Sequence, residues 1–178
     1  GYDMYMKLLS EAILEEKGEE KKEKPACTVA LAYDAYLPES YIGSQAQRID
    51  AYKKIALIER PEDYDDVLDE LSDRYGEPPV QAKNLLRISL IRALSGACGM
   101  TRVEQKNGCV VIIPRMMQLP VWAELSHIYS GKLLVSLGAQ PYVTYRIRNG
   151  VDTLSLLCKI FAKYIQVQEE TALKTTDS

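Results

Sequence analysis

The stretch from Pro79 to Cys98 constrains the fold more than any other part of the chain. Val80, Leu85, Leu86, Ile88, Leu90, Ile91 and Leu94 recur at helical spacing, yet they cover most of the circumference rather than one stripe. A helix apolar nearly all round has to be buried by neighbours on several sides, so it is expected at the centre of a core. A chain of 178 residues that is 47% hydrophobic can supply those neighbours within one substantial domain, or one domain with an appendage.

The elements around this helix set the fold class. Gly1 to Glu16 predicts a helix with Tyr5, Leu8, Leu9, Ala12 and Ile13 on one stripe, and the abrupt Gly1 suggests an artificial boundary rather than a natural start. The run Glu15 to Lys24 has no apolar residue and nearly balanced charge, so a solvated linker ending at Pro25 is expected. Thr28 to Tyr36 predicts a strand. Ser44 is a candidate N-cap for a helix from Gln45 to Ile58 that buries Ile49, Tyr52, Ile55 and Ala56 and leaves Arg48, Lys53 and Lys54 available on its flanks.

Beyond Gly99 the period changes. Thr101 to Gln105 and Cys109 to Ile113 flank Asn107-Gly108, the strongest short hairpin signal in the chain. A short helix from Pro120 to Ile128, strands at Leu133 to Leu137 and Tyr142 to Ile147, and a helix from Asp152 to Gln166 burying Leu154, Leu157, Cys158, Phe161 and Ile165 complete the order. Gln168 onward is expected to be a polar, frayed tail. Strands cluster after helices instead of alternating with them. The expected class is therefore α+β, with helices packed on a small, mostly antiparallel sheet. The expected organisation is a helix and linker over residues 1–25, a domain over 26–168 and a tail over 169–178.

One helix has an unusual wet face. Between Pro61 and Tyr75, Tyr64, Val67, Leu68, Leu71 and Tyr75 form an apolar stripe. Asp66, Asp69, Glu70 and Asp73, with Glu62 a turn earlier, occupy the other side with no mixing of charge sign. Pro61 suits the first turn, Gly76 suits the left-handed position after a helix, and Pro78-Pro79 prevent continuation. Four readings of the acidic side are open: a solvated face, a metal site, an active-site carboxylate pair, or a surface for a partner presenting arginine or lysine. Calcium sites favour a looped backbone with a glycine turn, and paired catalytic acids need a cleft that separates their pKa values. A continuous convex helix offers neither, which disfavours both and puts solvation and partner binding ahead of them.

Several classes are disfavoured elsewhere. No GxxxxGK[ST] or GxGxxG motif is present, so nucleotide hydrolysis by this chain is not expected. The four cysteines, Cys27, Cys98, Cys109 and Cys158, lack zinc spacing and suggest reduced core residues in a cytoplasmic protein. No catalytic cofactor or metal is expected, and the single histidine, His127, suggests a structural or surface role. A net charge of −3 without a basic stripe argues against tracking a nucleic-acid backbone. No apolar run reaches the length of a membrane span.

Three stretches together resemble the C-terminal domain of the bacterial transcription-repair coupling factor family. They are Gly1-Tyr2-Asp3-Met4-Tyr5-Met6-Lys7-Leu8-Leu9; Ala35-Tyr36-Leu37-Pro38 through Tyr41-Ile42 to Arg48-Ile49-Asp50-Ala51-Tyr52-Lys53-Lys54-Ile55; and Glu70-Leu71-Ser72-Asp73-Arg74-Tyr75-Gly76, an ELxDR[FY]G motif followed by proline. The resemblance implies a non-catalytic regulatory domain of an ATP-dependent DNA translocase in nucleotide excision repair. ATP and magnesium would belong to the parent's motor. The domain would dock on a UvrB-like N-terminal module of the same chain and mask the surface that binds UvrA until RNA polymerase engagement opens the molecule. By motif, Glu70 and Asp73 would face arginines of that module, with Asp66 and Asp69 beside them. Arg74, Tyr75 and Gly76 would be structural.

Two other readings make different demands. An auxiliary DNA-contacting domain would use Arg102, Lys106, Arg115, Arg146 and Arg148 around the strands. A hydrolase would need a closed pocket holding His127 beside a Ser or Cys.

Overall fold

The computed structural model describes residues 26–176. The expected N-terminal helix and charged linker, and the first of the three stretches of resemblance, lie outside the described residues. Among the described residues the order is β1 (Thr28–Ala30), α1 (Gln45–Ala56), α2 (Pro61–Tyr75), α3 (Val80–Ala97), β2 (Met100–Lys106), β3 (Cys109–Pro114), α4 (Leu119–Ile128), β4 (Leu133–Ser136), β5 (Tyr142–Arg146) and α5 (Thr153–Thr176). This is an α+β fold with a five-stranded sheet in the order β1-β2-β3-β5-β4. The β1–β2 pair is parallel and the other three pairs are antiparallel. The chain divides into two compact units, Ala32–Ala93 and a second that joins the residues up to Leu31 with those from Leu94 onward.

In the first unit α1 packs on α2. α1 begins at Ser44, whose Oγ accepts from the Gln47 N–H at 3.3 Å, as a serine N-cap should. Ala51, Ile55 and Ala56 are its buried residues. Ile49, expected in the core, is 40% exposed. The buried edge of α1 runs through Ala51 and Ile55, one turn apart, and Ile49 points away from it. α3 has the expected all-round burial: Leu85, Leu86, Ile88, Leu90, Ile91 and Leu94 are all buried. Its Ser89 Oγ donates to the Ile55 carbonyl at 2.7 Å and its Asn84 side chain to the Asp34 carbonyl at 3.0 Å. Val80, in the first turn, is 64% exposed and takes no part in the core.

The second unit is built on the sheet. Asn107 and Gly108 both have positive φ (53° and 73°), the backbone a two-residue hairpin turn requires, and the register closes with Lys106 opposite Cys109. Val103, Val110, Ile112, Val143, Tyr145 and Leu133 form the buried face of the sheet. α4 packs on β4 and on α5, where the Trp122 and Tyr164 rings lie 5.2 Å apart.

Three expectations in this unit are corrected. β1 ends at Ala30 instead of reaching Tyr36, because its pairing with β2 ends there. α5 buries Leu154, Leu157, Ile160, Phe161, Tyr164 and Val167, whereas Cys158 and Ile165 are only half-buried. Where a frayed tail was expected from Gln168, the helix continues to Thr176. No glycine or proline interrupts it, and the hydroxyls of Thr171 and Thr175 bond the carbonyls four residues back at 2.8 and 2.7 Å.

Candidate functional site: the acidic edge of α2

Seven acidic side chains fall on α2, and the structure sorts them into two groups. Asp63 is used locally. Its Oδ2 accepts from the backbone N–H of Glu59 and of Arg60, both at 3.1 Å, which closes the N-terminal turn opened by Pro61. Glu70 is used between helices. Its Oε1 lies 2.5 Å from Lys54 Nζ on α1 and 3.6 Å from Arg74 one turn on, and Lys54 also reaches Asp50 at 3.3 Å. The hydrogen bond that Lys54 donates to Glu70 is the main reason the Lys54 pKa is raised.

Glu70 therefore does not stand free on a purely acidic face, and Lys54 is not an available flank cation. Both side chains are a little over a third exposed, at 39% and 37%.

The second group is Glu62, Asp65, Asp66, Asp69 and Asp73. All are exposed, and among the described residues their side chains have no hydrogen-bond or ion-pair partner. At about 100° per residue, Glu62, Asp66, Asp69 and Asp73 fall within an arc of roughly 60°, along about 16 Å of helix. They make a single line of carboxylates, with Asp65 beside it. Asp66, Asp69 and Asp73 were recognisable in sequence, and so was Glu62. Asp65 was not singled out, although the helical angle that places Asp69 also places it beside the line.

This line is locally unfavourable. Like charges at i, i+3 and i, i+4 each cost a few tenths of a kcal/mol on an isolated helix. Asp73 adds a negative charge in the last turn, where the helix dipole favours a positive one. Sequences that break a local rule do so most often at functional positions.

The end of α2 is fixed by residues of the motif and by one from far upstream. Leu71 is the buried residue of the helix and Tyr75 is half-buried. Gly76 has φ +83°, and its N–H returns to the Ser72 carbonyl at 3.0 Å. The Arg74 guanidinium pairs with Glu70 and lies 5.2 Å from the centroid of the Tyr75 ring, and it does not bond the terminal carbonyls. The carbonyls of Leu71 and Gly76 are instead met by the Tyr41 hydroxyl, at 3.1 and 2.9 Å. The Tyr41 ring meets Tyr75 edge-on at 6.0 Å. Burial, then Tyr75 and Glu77, push the Tyr41 hydroxyl pKa up.

The other candidate residues are placed as follows. His127 is exposed on the last turn of α4, unlike a histidine in a closed hydrolase pocket. The described residues contain no cluster of His, Cys, Asp and Glu that could hold a metal ion. Arg102 is held by Glu104 at 2.7 Å, and Lys106, Arg115, Arg146 and Arg148 are exposed. Cys27 and Cys98 are buried and not in disulfides, while Cys109 and Cys158 are half-buried rather than core. No helix among the described residues is long and apolar enough to cross a membrane.

Residues 31–118, which include the whole of α2, match the model of the TRCF domain. The chain is 37% identical over 115 residues to a transcription-repair-coupling factor of Staphylococcus epidermidis, and the alignment covers 64% of this chain. It is 36% identical over 109 residues to the factor of Staphylococcus haemolyticus, covering 60%. The chain spans about a tenth of the length of these relatives. Its fold is similar to the crystal structure of the C-terminal domain of transcription-repair coupling factor, with a TM-score of 0.72 and 25% identity, over 82% of this chain and 97% of that one.

Proposed function

With residues 31–118 identified as a TRCF domain, we propose that this chain is the regulatory C-terminal part of a transcription-repair coupling factor and acts as an intramolecular clamp. It carries out no chemistry itself; ATP and magnesium are used by the parent's translocase motor. The chain docks on the parent's UvrB-like N-terminal module, in the cytoplasm, and covers the surface that receives UvrA until RNA polymerase is engaged. The observation that carries this reading is the unpaired line Glu62, Asp66, Asp69 and Asp73. It is costly in the isolated helix and suited to arginines presented by a partner.

On this reading the carboxylates without a partner make first contact. Asp66, Asp69 and Asp73 are free to accept guanidinium groups. Glu70 joins them only by sharing or exchanging Lys54 and Arg74. Exposed ion pairs contribute about 0–1 kcal/mol each, so the docked state is favoured by a few kcal/mol at most, within reach of a switch that must open.

The test uses the full-length parent carrying Asp66→Asn, Asp69→Asn and Asp73→Asn together. UvrA affinity should rise about 5- to 150-fold, the range of typical coupling energies, while the thermal midpoint of the isolated chain stays the same or rises slightly. Unchanged UvrA affinity in a folded triple variant refutes the clamp.

A further inference from the structure

The sheet of the second unit has a face that the clamp does not use. Opposite its buried side, β3 presents Cys109, Val111 and Ile113, all half-buried. The register sets Val111 between Glu104 on β2 and Thr144 on β5, and sets Cys109 between Lys106 and Arg146. Apart from Arg146, which the register sets opposite Cys109, these residues line, with Gln140 and Tyr142, a trough of about 580 Å³ that follows β3. Leu134, 62% exposed, lies opposite Thr144 in the register and carries the apolar surface on to β4.

The trough is charged at one end only. Lys106 and Arg146, on either side of Cys109, are exposed and have no ion-pair partner among the described residues. Further along, Glu104 is neutralised by Arg102 at 2.7 Å. An occupant therefore meets an apolar, locally neutral floor from Val111 to Ile113 and two unpaired cations beyond Cys109.

We infer that this trough is a docking groove for an extended protein segment with apolar side chains at alternate positions and carboxylates at the end that lies over Cys109. The spacing supports an extended occupant, because alternate residues of β3 repeat every ~6.6–6.8 Å, the same period as side chains on one face of a bound strand. From Cys109 to Ile113 the floor is about 13 Å long, enough for three such side chains. Charge complementarity fixes the acidic end. A single-stranded nucleic acid fits less well: stacking platforms present aromatic rings on their floor, and here the floor is Cys, Val and Ile with Tyr142 at the side. The inference is independent of the clamp, whose carboxylates lie on α2 in the other unit.

The test is a titration of the isotopically labelled chain, followed through its backbone amide resonances. The probes are seven-residue peptides with valine at alternate positions and two aspartates at one end, synthesised in both chain directions. Lys-for-Asp counterparts and a twelve-nucleotide single-stranded DNA are the comparators. An acidic peptide in at least one direction should shift amides of β3 and β5 saturably. Lys106→Glu with Arg146→Glu should weaken it by roughly tenfold or more, and Val111→Asp should abolish it. Asp66→Asn, on α2, should leave it unchanged. The inference is overturned if neither acidic peptide binds, if the lysine peptides bind equally well, or if the DNA binds the same amides as tightly. It is also overturned if those amides shift with protein concentration alone, which would make a second copy of the chain the occupant. Should Val111→Asp fail to fold, the two charge reversals, both at exposed positions, decide the outcome.

Discussion

Replacing Tyr41 by Phe removes one hydroxyl and little else, which makes it a sharp test of how the end of α2 is held. The hydroxyl has a single hydrogen to share between the Leu71 and Gly76 carbonyls, at 3.1 and 2.9 Å. A net protein hydrogen bond is worth about 0.5–1.5 kcal/mol. The contact to Gly76 is exposed, so water can replace the lost donor and the full penalty for a buried orphan does not apply. The expected loss is therefore about 1 kcal/mol. The edge-on contact with Tyr75 survives in Phe, whereas Tyr41→Ala forfeits it and the ring's packing, for roughly 2–3 kcal/mol.

Urea unfolding at pH 7 reads both variants. With an m-value of about 1–3 kcal/mol/M, the Phe variant should lower the midpoint by roughly 0.3–1 M at constant m. A second arm uses pH. Because the folded-state pKa of Tyr41 is raised, the unfolded chain loses this proton first as pH climbs past the ordinary value near 10. The stability contributed by the protonated hydroxyl is complete below that pH and declines above it, so the gap between wild type and Tyr41→Phe should narrow in alkali. Variants that unfold within about 0.2 kcal/mol of wild type at pH 7, well below the worth of one hydrogen bond, would refute the bond's role. A Phe variant as unstable as Ala would refute the division between hydroxyl and ring.

Other outcomes follow from the same geometry. Burial pushes the Cys98 thiol and the Tyr164 hydroxyl up to about 12. Both protonated forms stabilise the folded chain fully below their ordinary values near 9 and 10, so stability should fall from about pH 9 upward, at up to roughly 1.4 kcal/mol per unit per group; Cys98→Ala should flatten the early part of that fall in alkaline urea titrations, and an unchanged slope would refute the assignment. A double-mutant cycle with Lys54→Met and Glu70→Gln should give a coupling of about 0.5–1 kcal/mol, as a half-exposed pair allows. In the full-length parent, Lys54→Met should tighten docking and lower UvrA affinity, because it frees Glu70 for the partner; a rise in UvrA affinity would count against Glu70 as a docking residue.

Where the chain carries punctuation, sequence was sufficient. Pro61 and Gly76 bracket α2 at Pro61–Tyr75 as expected, and Asn107-Gly108 marks the hairpin to the residue. The all-round apolar pattern of α3 also translated directly into burial. What could not be read is what depends on a second element. β1 stops where its pairing with β2 ends, at Ala30 opposite Glu104, not where its β-prone residues do. β3 reads as an unbroken apolar run, Cys109 to Ile113, so nothing in it distinguishes the residues under the helices from those lining the trough. The counterion of Glu70 lies on another helix, where a charge pattern along α2 has no means of finding it.

That hidden counterion changes how the motif Glu70 to Gly76 works. Two segments far apart in sequence converge on it. Tyr41 holds the carbonyls at its end, and Lys54 holds its first carboxylate. The motif is thus first a device for locking α2 onto α1. It displays Asp73 rigidly because Glu70, Leu71 and Gly76 are already engaged. An arginine arriving at this edge finds Asp66, Asp69 and Asp73 free and Glu70 occupied by cations it can partly replace. Exchanging one half-exposed ion pair for another changes the free energy by a fraction of the pair's own small worth, about 1 kcal/mol or less. Glu70 can therefore change partners at low cost in either direction. A contact meant to be permanent gains nothing from that property, whereas a clamp that must release without unfolding its own helix pair depends on it.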